Sequence, residues 1–170
     1  MRALIALVLR HWPFLALIAS IGMLAIAHAF ETFGHLAPCT LCLDQRDVYW
    51  TAIPVCAAAW AAADIKGFQR VAPWIGWAMM LVFLTGTAIA AYHAGVEWKF
   101  WPGPQTCTST GAHASAADVA DLLNGAKVSA PRCDEAAWRF LGVSMAGWNA
   151  LISLKLAVWS GIWSARRGKA

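Results

Sequence analysis

Charge is what this chain has least of. Asp, Glu, Lys and Arg make up 13% of its 170 residues, where soluble domains carry about 25%. Hydrophobic residues reach 60%, against a usual figure of about 45–50% that already counts glycine. So little polar surface excludes an ordinary water-soluble globule, and the length is that of one domain.

Long apolar runs take the place of the missing charge. Spans are expected at about 12–30, 45–63, 71–93 and 143–165, with outer loops at about 31–44 and 94–142. A bilayer core about 30 Å thick needs about 20 helical residues at about 1.5 Å each. The second run is short between Val48 and Ala63, contains Pro54, and is closed by Asp64 and Lys66. A full crossing must therefore start near Asp44 to Arg46. The expected architecture is an all-α, four-transmembrane-helix bundle whose long second outer loop carries a short amphipathic helix.

Orientation follows from the few basic residues. Arg2 and Arg10, then Lys66 and Arg70, then Arg166, Arg167 and Lys169 flank the spans on one side, with only Asp64 acidic among them. Such a bias marks the cytoplasmic side, so both termini are expected there and both outer loops on the far side. The net charge of +4 is thus a topology signal, and no nucleic-acid partner is read from it. Ala27-His28-Ala29 closes the first run as a cleavage site would, but that run exceeds the roughly 7–15 residues of a secretory h-region, and we expect it to be retained. Trp12, Trp50, Trp74, Trp98, Trp101 and Trp163 lie near span ends, as interfacial belts require. Trp60 and Trp159 read as packing.

The five cysteines sort by side. Cys39 and Cys42 fall in the first outer loop and Cys107 and Cys133 in the second, while Cys56 lies inside the second span and reads as a small buried apolar residue. A compartment that permits disulfides makes two outer pairs the expectation, with three connectivities open. Proximity favours Cys39 with Cys42 and Cys107 with Cys133. The C-x-x-C spacing suits redox chemistry, because a near partner resolves mixed disulfides and a helix N-terminus or a cation lowers a thiol pKa. Arg46 supplies such a cation one helical turn beyond Cys42. The alternatives are a static disulfide or half of a zinc site. The 25 residues between Cys107 and Cys133 match no common zinc spacing, so no metal is expected.

"PCTLCLDQR" (38–46), "YHAGVEWKFWPGPQTC" (92–107) and "CDEAAWRFLGVSMAGWNA" (133–150) resemble the DsbB family, membrane proteins that generate disulfides for the bacterial periplasm. The resemblance runs over essentially the whole chain. It implies a protein of the bacterial inner membrane that reoxidises a periplasmic DsbA-like thioredoxin-fold partner and passes the electrons to a membrane quinone, ubiquinone or menaquinone. Carried over, Cys107 forms the mixed disulfide with the partner, Cys133 shuttles to Cys39, and Cys42 acts on the quinone ring. Arg46, which cannot lose its proton, holds a developing oxyanion or thiolate. Its bland alternative is snorkelling to headgroups.

His93, at a depth similar to Arg46, is a candidate to donate a hydrogen bond or proton to a reduced quinone, the alternative being a polar anchor. His28 is a weaker candidate. Gln45 stands where many relatives carry an acidic residue, which counts against a proton relay there. Lys155, near the middle of span four, costs about 2.5–3.5 kcal/mol on insertion scales and is expected to face the bundle or an interface. In the second loop, Ser115 with Asp118 starts, and Gly125 stops, a short helix carrying Val119, Leu122 and Leu123 on one side. "WPGPQTC" ahead of it suits an extended presentation of Cys107. Two other functions fit the same residues: a non-catalytic membrane scaffold with structural outer-loop disulfides, and a relative serving one dedicated substrate.

Overall fold

The computed structural model describes residues 2–104 and 132–168. Cys107 and the expected 115–125 helix lie outside them. Among the described residues the chain is almost wholly helical: α1 (Arg2–Arg10), α2 (Trp12–Thr32), α3 (Thr40–Asp64), α4 (Ala72–Glu97), a hairpin of β1 (Arg139–Phe140) and β2 (Val143–Ser144), then α5 (Met145–Arg167). The helix α1 was not expected from the sequence, where Arg2 and Arg10 read only as flanking charge.

Helix starts follow local chemistry. Pro13 and Pro73 sit in the first turns of α2 and α4, where a missing N–H is no loss. At α5 the Ser144 hydroxyl accepts from the Gly147 N–H at 3.2 Å, a side-chain cap. The hairpin ahead of it turns through Leu141 (φ 51°) and Gly142 (φ 80°), the two left-handed positions of a tight type I′ turn. Cys39 caps α3, its sulfur accepting from the Cys42 N–H at 3.3 Å. Because of that cap the helix begins at Thr40, several residues ahead of the span expected from 45 onwards.

Helix α4 also outruns its expected span and carries Glu97 with it. It stops where Lys99 turns left-handed (φ 62°). Lys99 N–H bonds to Val96 O and Phe100 N–H to Gly95 O, the paired bonds of a Schellman stop.

Helix α4 packs most extensively on α5 and then on α3, while α2 packs on α3. The core they enclose includes Trp12, Ala16, Tyr49, Cys56, Met79, Phe83, Leu156 and Trp163. Trp12 and Trp163, expected in interfacial belts, are buried instead. Trp12 donates its indole N–H to Ser160 Oγ at 3.0 Å. Trp50, Trp74, Trp98 and Trp101 are exposed as a belt requires, and Trp60, read as packing, is exposed as well. Small residues bring helices together: a Cβ on Gly86 would meet Val48 Cγ1 at 2.9 Å.

Helices α2 and α4 are each long and apolar enough to cross a membrane. Large apolar side chains point outward along them and along α5, among them Ile18, Ile21, Trp74, Leu81, Leu151, Leu154 and Val158. Water would penalise such a surface, and lipid accepts it. Polar side chains turn inward, with Ser20, Asn149, Ser153, Ser160 and Ser164 buried between helices. Lys155 breaks the pattern. It does not face the bundle but is exposed on the outside of α5, where its long stem can carry the ammonium along the helix toward a headgroup region.

Candidate functional site

Three elements meet at one end of the bundle: the first turn of α3, the last turn of α4 and the segment that follows Arg132. Cys39, Leu41 and Cys133 are buried together there, with Cys42 packed against them. Cys39 and Cys42 are free thiols whose Sγ atoms lie 2.7 Å apart, so the disulfide that proximity favours is open in this structure. Cys133 is disulfide-bonded, and its sulfur lies 3.9 Å from Thr40 Oγ1. Cys56 is free, buried in the core and far from this cluster in the packing, as the sequence reading held.

The two thiols are unequal. The side-chain contact with Cys39, together with the backbone at Cys39 and the Arg46 charge, pulls the Cys42 pKa below the ordinary thiol value, against the opposing effects of burial and Glu97. The same contact and burial push the Cys39 thiol up. The Cys42 N–H favours charge on Cys39 but does not reverse the order. The directions of the two shifts make Cys42, at the partly positive first turn of α3, the more acidic thiol of the pair.

His93 reaches the pair from α4. Its Nε2 lies 3.8 Å from Cys39 Sγ and 3.8 Å from Glu97 Oε1, one turn further along its own helix. The ring also hydrogen-bonds the backbone of Cys133, so a single side chain touches both cysteine-bearing segments. Cys39, Cys42 and His93 present ligand atoms all within 4.8 Å of one another, a spacing that also suits a metal ion. Glu97, assigned by sequence to the outer loop, is buried, and its Oε2 has no partner among the described residues.

Arg46 lies on the same face, but its guanidinium is already engaged. It donates to Glu31 Oε2 at 2.5 Å and to Ala27 O at 3.2 Å. Its side chain is only 13% exposed, Glu31's 41%. His28 lies 3.8 Å from the same carboxylate and not at the cysteines.

Polar groups from α3 and α5 stand behind His93. Gln45 Nε2 donates to Leu41 O and to His93 Nδ1, both at 2.9 Å. Asn149 Nδ2 donates to Gln45 Oε1 at 2.6 Å, and Tyr49 OH donates to Asn149 Oδ1 at 2.5 Å. Glu31, Glu97, Asn149 and Tyr49 were missed by sequence reasoning. For Glu97 and Asn149 a signal existed, since His93 with Glu97 and Asn149 with Ser153 stand four apart on single helix faces.

Cys39, Cys42, Gln45, Arg46, His93 and Glu97 all line one cavity of about 390 Å³, whose other lining is mostly apolar, from Met23, Leu24, Ile26, Phe30, Trp138 and Phe140, with Arg132 and Glu135 also reaching it. A mostly apolar wall with a few convergent polar groups is the usual form of a small-molecule site. Beyond Cys133, Asp134 accepts from Lys99 Nζ at 2.8 Å and from Arg132 at 3.1 Å, which ties the segment to the end of α4. Those bonds, from Arg132 first and then Lys99, hold the Asp134 carboxyl down to about 2.

Comparison with known proteins identifies the family. The family model described as "Disulfide bond formation protein DsbB" matches residues 9–163. Among similar proteins, disulfide bond formation protein B of Dechloromonas aromatica (strain RCB) is 26% identical over 159 residues, covering 88% of each chain. That of Hahella chejuensis (strain KCTC 2396) is 27% identical over 166 residues, 90% of this chain and 92% of the relative. That of Methylococcus capsulatus (strain ATCC 33009 / NCIMB 11132 / Bath) is 29% identical over 157 residues, 86% and 89%. With the match running over nearly its whole length, the chain belongs to the DsbB family of disulfide bond formation proteins.

Proposed function

We propose that the protein is a thiol:quinone oxidoreductase of a bacterial inner membrane. It reoxidises a periplasmic DsbA-like thioredoxin-fold protein and hands the electrons to ubiquinone or menaquinone. In this reading the chain forms one four-span bundle, with spans at about 12–30, 45–63, 71–93 and 143–165. Both termini are cytoplasmic and the cysteine-bearing loops periplasmic.

The observation that carries the proposal is convergence. The unequal thiols Cys39 and Cys42, the buried Cys133 and the imidazole of His93 meet at one end of an apolar cavity. A static staple needs neither the free thiol pair nor the cavity. Cys107 is assigned the mixed disulfide with the partner, and Cys133 the next exchange, onto Cys39, against which it packs. Thiol exchange needs an attacking thiolate and a leaving sulfur of low pKa, and the lowered pKa of Cys42 supplies the second. The cavity fits a quinone by the chemistry of its donors: an apolar wall, the fixed cation Arg46, and the buried, unpartnered Glu97 Oε2. A bound quinone would accept two electrons and two protons. Cys42, Arg46, His93 and Glu97 are the residues that would hold it. The apolar wall keeps water from the thiols, and Arg46 balances anionic charge without exchanging a proton.

Purified protein given a reduced DsbA-like protein and a soluble quinone should reduce the quinone over many turnovers. Cys42→Ser should abolish that turnover while the helical content stays intact. Cys133→Ala should accumulate a mixed disulfide through Cys107, and the trapped protein then identifies the partner. An intact chain that binds no thioredoxin-fold protein and shows no turnover would be a scaffold, and the oxidase reading would fall.

A further inference from the structure

The hydrogen bonds behind His93 have a direction, and they fix which ring nitrogen carries the hydrogen. Tyr49 OH donates to Asn149 Oδ1, so the other end of that carboxamide is the amide nitrogen, and it donates to Gln45 Oε1. The Gln45 amide nitrogen is then left facing Leu41 O and His93 Nδ1. A backbone carbonyl can only accept, so turning the Gln45 amide round would set oxygen against the Leu41 oxygen and nitrogen against the Asn149 nitrogen. Each link agrees with the next. His93 Nδ1 must therefore be a bare acceptor, and the hydrogen sits on Nε2, the nitrogen that faces Cys39 Sγ and Glu97 Oε1 and that shares its hydrogen with the Cys133 backbone.

Resting on the oxidase reading above, we propose that Gln45 and Asn149 are positioning residues that lock His93 as a hydrogen-bond donor to Cys39. In this reaction two thiols and a quinone become a disulfide and a quinol. Cys42, the more acidic thiol, gives up its proton first, and the proton of Cys39 must then leave before its sulfur can bond to Cys42 Sγ. The quinone takes up both electrons and both protons. A donor N–H aimed at Cys39 stabilises its sulfur as it becomes anionic. A bare nitrogen there would act as a base and would then repel the anion. The same hydrogen argues against a metal at Cys39, Cys42 and His93, because the nitrogen that faces the sulfurs has no lone pair to give. Tyr49, anchored also by Ser153 Oγ at 3.0 Å, closes the chain, which crosses from α5 through α3 to α4.

The test reads the tautomer itself. In protein labelled with ¹⁵N-histidine in micelles, with His93→Ala assigning the signals, the His93 ring should show the hydrogen on Nε2 and a bare Nδ1. Gln45→Glu replaces the donor with an acceptor and should move the hydrogen to Nδ1. In a Cys42→Ala background the same change should slow alkylation of Cys39 by a small reagent about tenfold, the loss expected for one hydrogen bond to a charged group. A native spectrum with the hydrogen on Nδ1 overturns the proposal without any variant, so a Gln45→Glu chain that fails to fold leaves it open to refutation. It is overturned equally if Gln45→Glu folds and leaves both tautomer and alkylation unchanged. If the tautomer is as stated but the native protein never reduces a quinone, the oxidase reading fails and the positioning of His93 stands.

Discussion

Removing Cys39 should change Cys42 more than removing Arg46 does. The Cys42 thiolate rests first on the hydrogen bond from Cys39 and only later on the Arg46 charge. Arg46 is the more obvious cation, but it already shares its charge with Glu31 at 2.5 Å. A hydrogen bond to a charged group contributes about 1.5–3 kcal/mol. At 1.36 kcal/mol per pH unit, Cys39→Ala should raise the midpoint of Cys42 ionisation by about one to two units. Arg46→Gln removes a charge already paired with Glu31, and should raise the midpoint by less than about one unit. The assay is the pH dependence of Cys42 alkylation in the reduced protein, with the modified site identified by mass. A larger effect from Arg46→Gln, or faster labelling of Cys39 than of Cys42 in the unaltered chain, would refute the order of causes and the placement of the first negative charge.

Two further predictions use the charges around the site. Glu31→Gln keeps the shape of the Arg46 contact but removes its counter-charge. The Cys42 midpoint should fall, while stability changes by less than about 1 kcal/mol because Glu31 is well exposed; a rise in the midpoint in the same alkylation assay would contradict the pairing. Lys99→Met should loosen the segment after Cys133 through loss of the contact to Asp134. Asp134 is held down to about 2 in the folded chain, so its share of stability is present above the unfolded carboxyl value near 3.9 and disappears as pH falls through about 2. The difference in unfolding between native and Lys99→Met chains, small for so exposed a contact, should be measurable near pH 5 and gone near pH 2. A constant difference across that range would mean the lysine acts through the Asp134 backbone carbonyl instead.

The four long helices, unlike α1, were legible because each carries an apolar run bounded by charge, and Cys39, Cys42, Arg46 and His93 were legible because their chemistry is unusual at such a boundary. The structure brings those four to one cavity. The helix ends were not legible. A sequence shows where apolar character stops, whereas helix α3 starts where the Cys39 sulfur caps it and α4 stops where Lys99 adopts a left-handed backbone. Glu97 was assigned to water because a carboxylate ordinarily belongs there, and it is buried because α4 continues past the apolar limit. Trp12 and Trp163 were assigned to the interface by position along the run, yet each turns inward to fill space between helices. The contacts of Arg46 with Glu31 and of Asn149 with Gln45 join residues 15 and 104 apart in sequence, which no local pattern encodes.

The distant contacts divide the labour between bundle and loop. Cys39 and Cys42 belong to a helix whose polar face is tied to α4 and α5 through Gln45, His93 and Asn149, so their geometry is a property of the packed bundle. Cys133 is buried against Cys39 and Leu41, and the Asp134 beside it is held by exposed ion pairs with Arg132 and Lys99, contacts that contribute little each and can be remade. Sequential thiol exchange needs one partner held still and another free to leave. Strengthening the Asp134 tether would therefore slow exchange with a soluble partner even where it stabilised the fold, whereas weakening the Gln45 network would impair the Cys39–Cys42 step and leave capture of the partner intact.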